Sequence, residues 1–225
     1  MNTWNVQSAL AAVRARMFAA CERVGRDVSS VTLVAVSKRQ SLAAMRAAYA
    51  LGQRDFGENY VQELVRKADA LAALPDIRWH LIGRLQSNKV KDVVRIGCTV
   101  HTLDSVRTAE LLDKRASAAG KNLPVLIQVN LADESQKAGV GPSDVAPLAA
   151  AVRAMPSLTV CGLMAIPNVD ASVEQSRTHF ANLRALAEQV GLLQLSMGMS
   201  HDFELAIEEG ATMVRVGTAI FGERR

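Results

Sequence analysis

Residues 195–222 read LSMGMSHDFELAIEEGATMVRVGTAIFG, and twice within them a short apolar strand runs into a turn of small residues. Gly198, Met199 and Ser200 follow the first strand, and Gly217 and Thr218 follow the second. Backbone N–H groups in such turns, helped by a Ser or Thr hydroxyl, satisfy the oxygens of an anion where larger side chains would block its approach. Either turn taken alone reads more simply as turn chemistry. In that reading Ser200 only caps a helix that starts near His201. The same alternation of strand and helix runs back through the chain to residue 31, and it decides the fold.

Apolar, strand-like runs fall at 31–37, 54–57, 78–82, 99–102, 124–131, 158–163, 193–196 and 212–216. Helical stripes lie between them, such as Val61, Leu64, Val65, Ala68 and Leu71, or Phe180, Leu183, Leu186 and Val190. Gly52, Gly120, Gly191 and Gly210 stop several of these helices. VTLVAV and PVLIQV are apolar on both faces, as a parallel sheet covered by helices requires. Ahead of the alternation, Val6, Leu10, Val13, Met17, Cys21 and Val24 form one stripe of a helix over residues 3–23. Eight βα units predict an α/β chain folded as a single (β/α)8 TIM barrel with an additional N-terminal helix, one domain over residues 1–225. An open doubly wound sheet is the alternative, because strand count alone does not show closure.

The composition narrows the function. The 225 residues are 49% hydrophobic, enough for a full core. The net charge is +4, but the basic residues are scattered among 22 acidic ones, and nine aromatics offer no stacking surface. Nucleic acid is therefore not an expected partner. Cys21, Cys98 and Cys161 are odd in number and lack metal-ligand spacing, which points to a reducing, cytoplasmic setting and to no metal. The longest uncharged run, 154–169, carries Pro156, Pro167 and Asn168, and the first residues lack the order of a signal peptide, so no membrane segment is expected.

Sites in a (β/α)8 barrel lie where strands end and the following loops begin. Lys38 ends the first strand, in VAVSK, and shares that mouth with Asn59, His80, Met164 and both anion turns. A lone strand-end lysine is ordinarily solvated. Facing a phosphate cradle, it suits a Schiff base with a phosphorylated aldehyde. In MVRV, alternation sets Met213 and Arg215 on one face and Val214 and Val216 on the other, and a buried arginine needs an acceptor, structurally a carboxylate. Lys137 in SQKAG and Lys89 in QSNK read as solvated loop lysines, with a secondary anion contact as the alternative.

LVAVSK (33–38), FGENYVQE (56–63), WHLIGRLQSNK (79–89), GLMAIP (162–167), SMGMSHDFELAI and VRVGTAIFG together resemble the YggS/PROSC family of pyridoxal phosphate homeostasis proteins, in order and over nearly the whole chain. The resemblance implies a fold-type III barrel, similar to the N-terminal domain of alanine racemase, that binds pyridoxal 5′-phosphate as a reversible Schiff base on Lys38. It further implies that Ser200, with the amides of Gly217 and Thr218, holds the phosphate, that Arg215 faces the pyridine nitrogen, and that Asn59 and Met164 border the ring. Arg84, in IGRLQ, departs from the family pattern and changes the charge at the mouth.

Arginine cannot accept the proton that a carboxylate would share with the ring nitrogen, so the implied site is a weak electron sink. The function implied is therefore a carrier that passes pyridoxal phosphate to apoenzymes without robust catalysis, expected as a monomer. Alanine racemases share the arginine but complete their site with a tyrosine from another domain and subunit. The expectation here is that the chain supplies none: Tyr49 lies in the packed stripe Leu42, Met45, Tyr49, and Tyr60, beside Asn59, is the tyrosine that could reach the mouth. A racemase of weak activity is the alternative. A barrel enzyme acting on phosphosugars through Lys38 is the third reading.

Overall fold

The computed structural model describes residues 4–131, 138–166 and 171–222. Helix α1 (Val6–Arg23) begins where Asn5 caps it, its side chain accepting from the amides of Gln7 and Ser8 at 2.9 and 3.2 Å. This satisfies two of the N–H groups that a helix start leaves without partners. The apolar stripe of α1, Leu10, Val13, Met17 and Cys21, is buried against α8 (Phe203–Glu208) and α9 (Thr218–Phe221). Trp4 fastens the same seam, its Nε1 donating to the Ile220 carbonyl at 2.8 Å.

Strands β1 (Thr32–Val36), β2 (Asp55–Glu58), β3 (Arg78–Leu81), β4 (Thr99–Leu103), β5 (Leu123–Gln128), β6 (Leu158–Met164), β7 (Gln194–Ser196) and β8 (Met213–Val216) pair in parallel, each with its sequence neighbours. β8 returns to β1 through the register Thr32↔Met213 to Ala35↔Val216, so the sheet is a closed barrel and the open-sheet alternative is excluded. The fifth strand is shorter than its apolar run. Past Gln128 the chain turns to form a bridge between Val129 and Val140, with the Val140 amide donating to the Gln128 carbonyl at 2.9 Å.

Helices α2 (Leu42–Ala50), α3 (Val61–Ala70), α4 (Val90–Ile96), α5 (Val106–Ala118), α6 (Val145–Arg153) and α7 (Val173–Gln189) connect successive strands. The main core lies between strands and helices, where Phe56, Leu81, Leu103, Leu112, Leu123, Phe180 and Phe203 are completely buried. Each such side chain contributes about 1.5–3 kcal/mol. A second, smaller cluster of Val34, Leu126, Met164 and Met213 lies inside the barrel. Alternation along each strand sends every other residue inward, and these inward positions carry the site.

Candidate functional site

A cavity of about 480 Å³ opens at the C-terminal mouth of the barrel, lined by Val36, Lys38, Asn59, Ile82, Ser200, Arg215, Gly217 and Thr218 among others. Lys38 reaches it because Val34, Val36 and Lys38 fall on the inward phase of β1. Its neighbours are pinned from behind. The Ser37 hydroxyl donates to Glu58 Oε1 at 2.6 Å, and the Ser37 carbonyl accepts from Lys67 Nζ. Lys67 on α3 is wholly buried and sits 2.7 Å from Glu58 Oε1 and 2.8 Å from Glu63 Oε1. Glu63 in turn accepts from the amide of Arg39 at 2.7 Å, holding that residue in the left-handed region at φ 61°. Burial pushes the Glu58 carboxyl up, against the hydrogen bonds from Lys67 and Ser37.

The sequence reading missed this lysine. Its signal was present: Lys67 stands three residues after Leu64 and four before Leu71, on the buried face of α3, with a carboxylate one turn earlier at Glu63.

The two small-residue turns meet as one cradle. Gly198 takes φ +85°, and a Cβ there would lie 2.5 Å from Ala206 Cβ and 2.9 Å from Phe203 Cα. Only glycine fits that turn. Ser200 does not cap the next helix. Asp202 stands at that position, accepting from the Met199 amide at 2.6 Å, and α8 starts at Phe203. The Ser200 hydroxyl instead crosses to the second turn, accepting from the amides of Gly217 at 3.2 Å and Ala219 at 3.4 Å.

Arg215 is nearly buried and lines the same cavity. Among the described residues no carboxylate bonds to it: Nη1 donates to Ser196 Oγ at 2.7 Å and Nη2 to the Ala165 carbonyl at 2.9 Å. Burial pushes its guanidinium down to about 10, while the charge of Asp202 acts in the opposite sense. Asn59 lines the cavity with a buried Oδ1 that has no hydrogen-bond partner among the described residues. Its backbone is packed so closely on Gly83 that a Cβ there would lie 2.1 Å from the Asn59 carbonyl oxygen.

Other expected residues fall elsewhere. Met164 is fully buried in the interior cluster beneath the cavity and is not part of its lining. His80 is also inside the barrel, bonded to Asp55 and His101 below the mouth. Lys89 stands at the start of α4 and Arg84 is exposed, neither of them on the cavity wall. Tyr60 is exposed at the start of α3, whereas Tyr49 bonds to Asp76 under the guanidinium of Arg54. Lys137 lies outside the described residues. Among the described residues no cluster of three metal-ligating side chains occurs, and no helix is long and apolar enough to cross a membrane.

A lysine, a hydroxyl-and-amide cradle, an arginine donor and an unpaired amide oxygen converge on one cavity. This set suits a phosphorylated aldehyde with a heteroaromatic ring. The comparisons agree. The family model for the alanine racemase N-terminal domain matches residues 9–225. A pyridoxal phosphate homeostasis protein of Pseudomonas aeruginosa is 46% identical over 217 residues, spanning 96% of this chain and 94% of its own length. One from Aquifex aeolicus is 42% identical over 227 residues, spanning 98% and 99%.

The solved structure of PipY from Synechococcus elongatus with pyridoxal phosphate bound has a TM-score of 0.86 at 37% identity, covering 97% of this chain and all of that one. An alanine racemase of Clostridium difficile shares the fold at a TM-score of 0.75 and 12% identity, this chain matching 56% of it. The barrel is thus of fold type III, and the chain belongs to the alanine racemase N-terminal domain family and, within it, to the pyridoxal phosphate homeostasis proteins.

Proposed function

We propose that this protein binds pyridoxal 5′-phosphate reversibly in the mouth cavity and serves its intracellular homeostasis by releasing it to apoenzymes. The observation that carries the reading is the convergence of Lys38, Ser200, Gly217 and Arg215 on one cavity, in a chain 46% identical to a pyridoxal phosphate homeostasis protein. Ser200 and the amides of Gly217 and Thr218 hold the phosphate, Asn59 borders the ring, and Arg215 faces the ring nitrogen. Met164 supports this floor from the interior layer.

The bound group supplies an electrophilic aldehyde. Lys38, on the cavity wall, would be the amine that holds it covalently and gives it up again to water. Arg215 presents only donors, so it keeps a facing nitrogen unprotonated and withholds the electron sink that vigorous amino-acid chemistry needs. One barrel with an open mouth suits exchange by a monomer.

The experiment is an absorbance spectrum after loading and removal of excess pyridoxal phosphate, wild type beside Lys38→Ala. A visible band from a conjugated imine is expected in the first and not in the second. A colourless wild type refutes the reading. The racemase alternative rests on Tyr60, exposed beside Asn59. Racemisation of an amino acid by wild type, lost in Tyr60→Phe, would replace the carrier.

A further inference from the structure

An unbroken row of polar side chains runs down the inside of the barrel from Arg215 to its far end. Arg215 Nη1 lies 2.7 Å from Ser196 Oγ, which lies 2.8 Å from His101 Nδ1. His101 Nε2 is 2.9 Å from His80 Nδ1, and His80 Nε2 is 3.0 Å from Asp55 Oδ1. Arg78 closes the row, its Nε donating to Asp55 Oδ1 at 2.8 Å and its Nη2 to Oδ2 at 2.5 Å. Asp55 and Arg78 also line a separate cavity of about 500 Å³ at the opposite end from the mouth.

With both imidazoles neutral, the two ends leave each bond between them a single direction. Arginine has donors and no acceptor, so Ser196 Oγ accepts from Arg215 and has its own hydrogen left for His101 Nδ1. His101 then carries its proton on Nε2 and donates to His80 Nδ1. His80 likewise carries its proton on Nε2 and donates to Asp55, which as an ionised carboxylate only accepts. Each histidine is then held in one tautomer. A proton added to His80 would reverse the row: His80 Nδ1–H would donate to His101, His101 Nδ1–H to Ser196, and the Ser196 hydrogen would lose its acceptor beside Arg215.

The groups facing His101 oppose that reversal, whereas the Asp55 carboxylate beside His80 favours it. His80 meets Asp55 from β2 and His101 from β4; His101 meets Ser196 from β7 and the charge of Arg215 on β8. Burial first, and the charge of Arg215 in the same sense, hold His101 well below the usual histidine range.

We propose that Ser196, His101, His80 and Asp55 are positioning residues for Arg215, a one-way hydrogen-bond row that sets the guanidinium beneath the cavity and ties its placement to the Asp55–Arg78 ion pair at the other end of the barrel. Its effect on the cofactor rests on the function proposed above; its existence does not. The first test therefore uses no cofactor. Long-range 1H–15N spectra of histidine-labelled protein near neutral pH are expected to show His80 and His101 neutral and protonated on Nε2. An Nδ1–H tautomer or an imidazolium at either residue overturns the row.

The second test measures pyridoxal phosphate release from loaded protein. Ser196→Ala removes one hydrogen bond to a charged group and is expected to speed release about tenfold to a hundredfold. Asp55→Asn keeps an acceptor for His80 but removes the far charge; it should speed release less, and shift the pH at which release accelerates. Met213→Leu, an interior change outside the row, is the control and should leave both unchanged. Folded Ser196→Ala and Asp55→Asn proteins that release at the wild-type rate overturn the proposal. If Ser196→Ala does not fold, the Asp55→Asn rate and the spectra decide. A wild type that binds no cofactor sinks the carrier reading, while the spectra still judge the row.

Discussion

Replacing Lys67 by Met removes a cation with no exposed surface and leaves its partners in place. Glu58 Oε1 at 2.7 Å and Glu63 Oε1 at 2.8 Å lose their counter-charge, and the Ser37 carbonyl loses its donor. Methionine fills nearly the same volume, so packing changes little. Breaking one side of a buried ion pair costs about 3–5 kcal/mol, a large share of the roughly 5–15 kcal/mol by which domains are stable. The folded chain lowers that cost by protonating Glu58, whose carboxyl burial already pushes up and whose Oε2 has no partner among the described residues.

A pKa raised in the folded state means that the native protein binds more protons than the unfolded one above about pH 4.3. Lys67→Met should therefore regain stability as pH falls from about 7 towards 5, by roughly 1.4 kcal/mol per pH unit while one proton is taken up. Adding Glu58→Gln should recover about 1–3 kcal/mol at neutral pH, because the unpaired charge is gone and the amide can still meet Ser37. Urea unfolding at two pH values reads this directly, with the midpoint moving at constant m. A loss below about 1 kcal/mol, or a double variant no more stable than the single one, would refute the reasoning. Because Lys67 and Glu63 hold Ser37 and Arg39 on either side of Lys38, the single variant should also retain less pyridoxal phosphate.

Three further outcomes are expected. Gly198→Ala forces a side chain into the left-handed region and to within 2.5 Å of Ala206 Cβ; thermal or urea unfolding should show a loss of about 2–4 kcal/mol, with weaker cofactor retention as the Ser200 turn shifts. Ser200→Ala removes the hydroxyl between the two turns, and equilibrium binding of pyridoxal phosphate should weaken about tenfold while the urea midpoint scarcely moves. Because His101 stays neutral far below the usual histidine range, the unfolded chain binds an extra proton below about pH 6.5; stability should fall as pH drops from there, by about 1.4 kcal/mol per unit, and His101→Gln should flatten that slope.

The fold was legible because each signal for it is local. Strands apolar on both faces alternate with amphipathic stripes, and every strand lies within two residues of its expected limits except the end of β5. There the apolar letters continue through VNL, but Val129 takes its bridge to Val140, a choice made by a segment eleven residues on. The same limit misplaced the start of α8. Ser200 and Asp202 are both good caps; Ser200 has a second use, bonding to amides seventeen and nineteen residues on, and that use is visible only once β7 and β8 lie side by side.

The site divides along the same line. Lys38, Asn59, Ser200, Gly217 and Thr218 were expected at the mouth because strand ends mark it, and alternation singled out Arg215; all six line one cavity. The same rule set Met164 and His80 at the mouth, but it does not give depth along the barrel axis. Depth comes from the stagger between strands, which closure imposes. Met164 pairs in register with Ser196, and Ser196 with Met213, so Met164 belongs to the level of Met213. Arg215 lies two residues nearer the mouth on the same inward phase, and its side chain reaches the cavity that Met164 only supports from below.

The row from Arg215 to Asp55 was hidden for the same reason. Its members come from five strands, and its links span 19, 95, 21 and 25 residues of sequence. Read singly, each is a polar residue in a short strand. Set at successive depths in one barrel, they leave each proton a single place to be, so the arginine that faces the site is anchored by a charge at the other end.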